Sequence, residues 1–557
     1  MTDFFQDPPR LTNQYDDDPL LASYLRWRLP PEMFGEVEPA LRHLGERAAT
    51  DLLALDTAAE ASPPKHVPFD PWGRRVDNIE TSDAWRALDR IAAEEGLVAI
   101  GYERSHAAHS RVDQFARLYL YSPSSATYSC PLAMTDGAAR LLELYPDDVT
   151  RSVFEHLISR DPEYFWTSGQ WMTERTGGSD VSGTSTIARL GADSPSIDYR
   201  YRLYGTKWFT SATTSQIAVT LAYIEGEKSL SVFLVRLRDD DGALRNMRVN
   251  RLKDKLGTRA LPTAELTLDG TPAHLIGDKG DGVRKIASMF NVTRVYNAVA
   301  AVAGMRRAIA LARDYASRRI AFRKRLLDHP LHAETLAAME LEWRAGFLLA
   351  FHVVELLGIQ EAGTATEDDL SRLRLLIPIA KLYTAKQAVA VASEALECFG
   401  GAGYIEDTGI PRLLRDAQVL SIWEGTTNVL SLDVLRALEK TNALDAFLGD
   451  ARERLSAIRN ESLSVSVTRV RDALRSIASF GERAADEGRG YAEARARSFA
   501  YALARTTAAV QLLEFAEWSR ASGTDDQPAV IAATRWCSGD LTLEKAEGPV
   551  PSPMSIG

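Results

Sequence analysis

Four dispersed segments of this chain carry residue types that bind ligands or do chemistry. WMTERTGGSDVSGTST, beginning at Trp171, is dense in hydroxyls, glycines and backbone amides, the groups a binding loop needs. LYGTKWFTSATTS sets Trp208 and Thr210 on a strand beside a hydroxyl-rich turn. YASRRIAFRKRLLDHP gathers five basic residues at a helix end. CFGGAGYIEDTGIPRLLRDAQVLSIWEGTTNVL places a glycine cluster one or two helices ahead of Glu424. Taken singly, each has a plain structural explanation: a turn, a core tryptophan, a solvated helix end, and a helix cap with a surface acid. Other site signatures are missing. There is no phosphate loop of the GxxxxGK(S/T) type and no GxSxG elbow. CFGGAGYIED has Glu406 where a dinucleotide fingerprint needs its last glycine, and it follows no strand. His106/His109 and His329/His332 are spaced i,i+3 without a matching third ligand, so no metal site is expected.

The elements that must position these segments change along the chain in blocks. Residues 1 to about 30 are rich in Pro, Asp and Tyr and fit either an extended arm laid on a neighbour or a disordered tail. From Pro31 to about Ser159 the pattern is helical, interrupted by PPKHVPFDPWGRR, whose prolines a helix interior does not tolerate. From about Tyr164 to Gly277, short alternating or β-branched runs predict a β domain of at least three strands, a sandwich or small barrel. After Gly282 the period is helical again, with two helices of about 30 residues that require a bundle to bury their stripes. The stretch from about Thr441 to Pro551 is a further helical unit of net charge −2. The expected domains are therefore 1–163, 164–280, 281–440 and 441–557. The fold class is mainly α with a central β domain.

Composition is ordinary for a globular chain: 557 residues, 45% apolar, 25% charged, net charge −11. Three cysteines cannot make a disulfide framework and fit a reducing compartment. No secretory leader and no apolar run of membrane-spanning length is visible, so a cytoplasmic protein without membrane insertion is expected.

Together the four segments resemble the acyl-CoA dehydrogenase family in order and spacing, from roughly Arg117 to Leu438. The longer chain, CPLAMT at 130–135, the SIWEG form around Glu424 and the added C-terminal unit look like its AidB-type branch, associated with the adaptive response to alkylation damage. The resemblance implies a helical domain, a β domain and a four-helix bundle, with FAD shared across a subunit interface of a homotetramer. It implies that Glu424, at the family's Tyr-Glu-Gly-Thr position, is the base for the α-proton of an acyl-CoA thioester. A dry pocket would raise its pKa toward the task, and its own N–H would help to hold the thioester carbonyl. Met172 and Thr173 are implied against the flavin and Ser179 near the pyrophosphate or the CoA. Trp208 and Thr210 cover one flavin face and its polar edge. Arg319, Phe322, Gly400, Gly401 and Gly403 reach the partner's FAD, with Thr426 also counted among the cofactor contacts. Asn291, Arg294 and Gly425 are implied on the substrate. An electron-transfer flavoprotein is the implied oxidant.

The chain departs from the family pattern at Arg175–Gly178, at Arg323 where glycine is usual, at Glu397 where glutamine is usual, and at Asn291 where aspartate is common. Two other functions compete with turnover. One is DNA binding through the C-terminal unit, using Arg452, Arg454, Arg459, Arg469, Arg471 and Arg475. Interleaved acids and negative net charge favour a salt-bridged bundle face there. The other is a flavin-binding scaffold with a blocked channel, for which Trp166, Trp171, Trp423 and Arg323 are the bulky candidates.

Overall fold

The computed structural model describes residues 6–191, 199–523 and 526–541. They divide into two compact units, Leu41–Ser105 with Asp113–Tyr296, and Met1–Ala40 with His106–Val112 and Asn297–Gly557. The molecule is mainly helical, with a closed β domain and a helical bundle extended at its C-terminus.

In the first unit the helix Ser129–Leu144 is buried on nearly every side, as its small and apolar residues allow. Its one deeply buried acid, Asp136, is fully supplied with donors: Gln114 Nε2 at 2.7 Å, Tyr296 OH at 2.9 Å and Tyr102 OH at 2.7 Å. Thr135 of the same helix accepts the Ser168 N–H at 2.9 Å and so fixes where the β domain begins. Among the described residues that domain has seven strands, in keeping with the at least three that the alternation predicts. Tyr201–Ser211 runs antiparallel to Thr263–Leu275 and to Ile187–Leu190. Thr263–Leu275 also pairs with Leu230–Arg236, which pairs with Ile217–Ile224. Ile217–Ile224 then meets Ile187–Leu190 in parallel and closes the ring. Closure leaves those five strands without a free edge. Inside lie small and branched residues, among them Ala218, Ala222, Phe233, Val249 and Leu266.

The proline-rich interruption at 63–75 proves to be a β-hairpin, Lys65–Phe69 paired with Arg75–Glu80. It is riveted to the strand Met247–Leu252, because Asp77 accepts the Val249 N–H at 3.1 Å and Arg75 donates to the Val249 carbonyl at 2.8 Å. Prolines there mark edge and turn positions instead of a simple loop.

The second unit is built on very long helices: Pro330–Glu361, Glu367–Cys398 and Arg489–Ala521, together with residues 297–318 of Ala287–Arg318. Glu367–Cys398 is long and apolar enough to cross a membrane by length and composition, which the residue-by-residue reading had missed. Its most apolar stretch is 78% buried inside the bundle. The described part of the N-terminal arm lies on its own chain: Arg10 N donates to Asp314 at 2.7 Å, and Arg306 pairs with Asp17 at 3.0 Å. The C-terminal extension is knitted to the bundle by ions. Arg372 of the bundle meets Asp450 of the extension, where Arg454 holds Asp450 and Glu514, each at 2.8 Å; Arg28 of the N-terminal helix meets Glu355 of the bundle at 2.9 Å and donates to Gln511 of the extension at 3.1 Å. These groups are mostly buried, so removing one partner strands the other.

Candidate functional site

In the barrel unit, strand Tyr201–Ser211 turns Lys207 inward, and that side chain is fully buried. Between Lys207 and Thr210 the register slips by one residue, Lys207 facing Leu266 and Thr210 facing Ala264. This bulge lets two residues three positions apart both point in, and leaves Trp208 half-buried and Phe209 exposed. The Trp208 N–H donates to the Thr173 carbonyl at 3.0 Å, which lays the segment after Trp171 beside the bulge. The indole of Trp208 is not a bare apolar plate: Lys253 Nζ lies 3.8 Å and the Arg175 guanidinium 5.5 Å from its ring centre. Thr210 is fully buried and its hydroxyl donates to the Ala264 carbonyl at 2.8 Å.

The loop carrying Ser179 is clasped at its base by Glu174, which sequence reasoning passed over. Its carboxylate accepts the Ser185 N–H and hydroxyl, both at 2.6 Å, the Thr186 hydroxyl at 2.6 Å, and Lys207 Nζ at 2.8 Å. Lys207 and these hydrogen bonds outweigh burial and hold the acid at about 2. Lys207 itself is held below its ordinary value by burial. Between these anchors Ser179 is exposed, Met172 is buried and Thr173 is half-buried. A lysine at an inward position of an alternating strand was the available signal. Asn291 and Arg294 both lie half-buried on the Ala287–Arg318 helix, where the Arg294 guanidinium lies 6.0 Å from the Phe290 ring centre.

In the bundle unit, Glu424 sits in the turn between the helices Ile410–Leu420 and Thr427–Lys440 with φ +56°, in the left-handed region that a glutamate rarely adopts. Gly425 follows at φ +103°, and a Cβ there would come within 2.9 Å of Leu430. The turn is bracketed. On one side the Trp423 indole N–H donates to Asn297, whose own amide donates to the Leu420 carbonyl at 3.2 Å. On the other, fully buried Lys381 donates to the Gly425 carbonyl at 2.6 Å. Glu424 is half-buried within the single chain. Thr426 is exposed as the N-cap of Thr427–Lys440 and makes no side-chain cap bond to that helix.

Gly400, Gly401 and Gly403 form a 3₁₀ turn and do two different jobs. Gly403 is structural, because a Cβ would strike the Leu396 carbonyl at 2.0 Å. Gly400 and Gly401 are exposed, and a Cβ on either would meet nothing within 4 Å, so their backbone is open to a ligand. Glu397 is exposed one turn earlier. Half-buried Arg319 precedes a two-residue hairpin in which Ile320–Ala321 pairs with Lys324–Arg325. Its tip, Phe322 and Arg323, has φ +50° and +67°, and Phe322 is 91% exposed. Such a turn ordinarily takes Asn-Gly. Here it holds a phenyl ring in water on a strained backbone.

In the barrel unit the fully buried Trp171 indole N–H has no acceptor among the described residues. In the bundle unit, open glycine backbone at Gly400 and Gly401 and the exposed Phe322 ring are each accessible to a ligand. Models of four families match the chain in succession. They are the adaptive response protein AidB N-terminal domain at 7–163, the acyl-CoA dehydrogenase middle domain at 169–271, the acyl-CoA dehydrogenase C-terminal domain at 280–439, and the acyl-CoA dehydrogenase 11 C-terminal domain-like model at 442–550. Acyl-CoA dehydrogenase family member 11 of Caenorhabditis elegans is 44% identical over 554 residues, 96% of this chain and 88% of that one. The chain belongs to the acyl-CoA dehydrogenase family.

A crystal structure of the same nematode protein in complex with C11-CoA superposes with a TM-score of 0.93 at 43% identity, covering 97% of this chain and 94% of that one. The apo-form of Bd2924 gives 0.86 at 51% identity, covering 92% and 100%. AidB of Escherichia coli (strain K12) is 33% identical over 423 residues, 74% of this chain and 76% of that one. The AidB-type expectation has the weaker support, from the match at 7–163 and the Escherichia coli protein. Over its full length, and in its last domain, this acyl-CoA dehydrogenase relative is more similar to family member 11.

Proposed function

We propose that this protein is a FAD-dependent acyl-CoA dehydrogenase that oxidises acyl-CoA thioesters at the α,β-bond, with Glu424 as the base. The observation that carries the reading is the turn at 421–426: a glutamate at the family's base position is held in a left-handed conformation by brackets on both sides. Strain kept at one acidic residue points to a task for that residue. The Glu424 carboxylate takes the α-proton, and its N–H donates to the thioester oxygen as charge develops there. Bound FAD supplies the acceptor for the β-hydride. By the family resemblance the Met172–Thr173 segment, Ser179, Trp208 and Thr210 would hold the FAD of their own subunit, the glycine turn, Arg319 and Phe322 would reach the partner's, and Thr426 would be a further cofactor contact. Asn291, Arg294 and Gly425 contact the CoA thioester. The C11-CoA in the nematode relative supports a medium-to-long acyl chain as substrate class. An electron-transfer flavoprotein as acceptor and a homotetramer complete the reading.

The DNA-binding alternative has less to stand on. Arg454 is bound between Asp450 and Glu514, Arg475 pairs with Asp472, and Arg469 donates to the Cys537 carbonyl at 3.3 Å. Anaerobic absorbance titration with acyl-CoAs from short branched to long straight tests the proposal. Rapid bleaching of bound flavin by one class supports it. Bound flavin that none of them reduces overturns it.

A further inference from the structure

The side chain of Lys381 is fully buried in the helix Glu367–Cys398, and its ammonium reaches the carbonyl of Gly425, the residue after Glu424, at 2.6 Å. A buried ammonium is expensive to keep, and an apolar residue of the same length would fill the space without that cost. The lysine's bond to the Gly425 carbonyl is charge-assisted and so stronger than a neutral one. That carbonyl belongs to a pair of residues, Glu424 and Gly425, both with positive φ. A left-handed glutamate is not self-supporting, so its neighbours must over-determine it. Packing of Leu430 against Gly425 and the Trp423–Asn297 bond constrain the turn from other directions, but neither grips the peptide that follows Gly425.

We propose that Lys381 is the positioning residue for Glu424: by pinning the Gly425 carbonyl it sets the backbone from which the Glu424 carboxylate and N–H are aimed. The role rests on the dehydrogenase reading for its catalytic consequence, though not for its structural one. Lys381 touches neither the acyl group nor the cofactor in this account. It acts through the turn, and a misplacement of the base by about 1 Å is enough to cost on the order of 10²-fold in rate.

The test uses full-length, FAD-loaded protein and the variants Lys381→Met and Lys381→Arg. Three quantities are read: hydrogen exchange of the 421–427 amides, FAD content, and the anaerobic rate of flavin reduction at saturating acyl-CoA. In Lys381→Met the 421–427 amides are expected to exchange at least about tenfold faster, with the rest of the bundle unchanged and FAD retained. The reduction rate should fall about 10²-fold with little change in the half-saturating acyl-CoA concentration. Lys381→Arg should recover part of both, since it restores a cation but not its reach. Unchanged exchange at 421–427 overturns the proposal. So does a rate lost only in proportion to lost FAD or lost folded protein. If wild-type flavin is reduced by no acyl-CoA, the dehydrogenase reading fails, and the exchange measurement alone decides whether Lys381 holds the turn.

Discussion

Glu174 and Glu424 are glutamates beside short turns, one in each compact unit, and the chain uses them in opposite ways. The Glu174 carboxylate is saturated: a lysine, two hydroxyls and a backbone amide hold it below 3 Å, and it is 2% exposed. Nothing is left for a ligand, and its backbone carries no positive φ. Glu424 is half-buried, its backbone is left-handed, and its turn is braced through Trp423 and the Gly425 carbonyl. One acid is stabilised so that a loop keeps its shape. At the other, the braces hold a strained backbone. Perturbation of an acid is therefore a poor guide to function when its partners lie entirely within the fold. The comparison breaks first at catalysis. Glu424→Gln should leave FAD bound and slow flavin reduction by acyl-CoA roughly 10³-fold. Reduction at the wild-type rate would remove Glu424 from the mechanism.

The reciprocal change acts on folding. Glu174→Gln keeps the shape but leaves Lys207 buried without its counter-charge, which should destabilise the chain by about 3–5 kcal/mol in urea unfolding. A loss below about 1 kcal/mol would mean that the clasp is ornamental. The same pair sharpens the comparison through pH. The folded acid lies at about 2 against an ordinary 4.5, so its contribution is whole above pH 5 and is lost as pH falls through the folded value. At most about 3 kcal/mol is at stake. Buried Lys207, held below its ordinary value, makes the net smaller. Subtracting the urea stability of Glu174→Gln from that of wild type at pH 3, 4, 5 and 7 isolates it. The difference should shrink toward acid. A difference that is flat with pH would contradict the charge pair.

Much of this was legible in the sequence, and the reasons for the rest are physical. The two 32-residue helices starting at Ala287 and Pro330 follow from sustained apolar periodicity and match the expected length of about 30 residues. The hairpin at 65–80 was hidden because prolines at its edges read as a break. Glu424, Trp208 and the glycine turn were legible only through the family resemblance of the four segments together, since each alone has a plain structural explanation. Lys207 and Lys381 were not, since a lysine is ordinarily solvated and only the tertiary fold shows that these two are fully buried. The bulge at Trp208 could not be read either, because a register slip belongs to two strands and only one of them carries the tryptophan.

The smallest effect tests the strain itself. A non-glycine residue in the left-handed region costs about 1–2 kcal/mol, and glycine escapes that cost. Glycine also makes the unfolded chain more flexible, which returns about 0.4–1 kcal/mol. Glu424→Gly should therefore raise unfolding stability by about 0.5–1 kcal/mol while abolishing flavin reduction. Glu424→Gln keeps the backbone penalty and should stay within about 0.5 kcal/mol of wild type. The difference between the two variants measures the strain with the charge already removed from both. If Glu424→Gly is instead the less stable of the two, the side chain holds the turn, and Glu424 belongs with Glu174 as an acid that serves the fold.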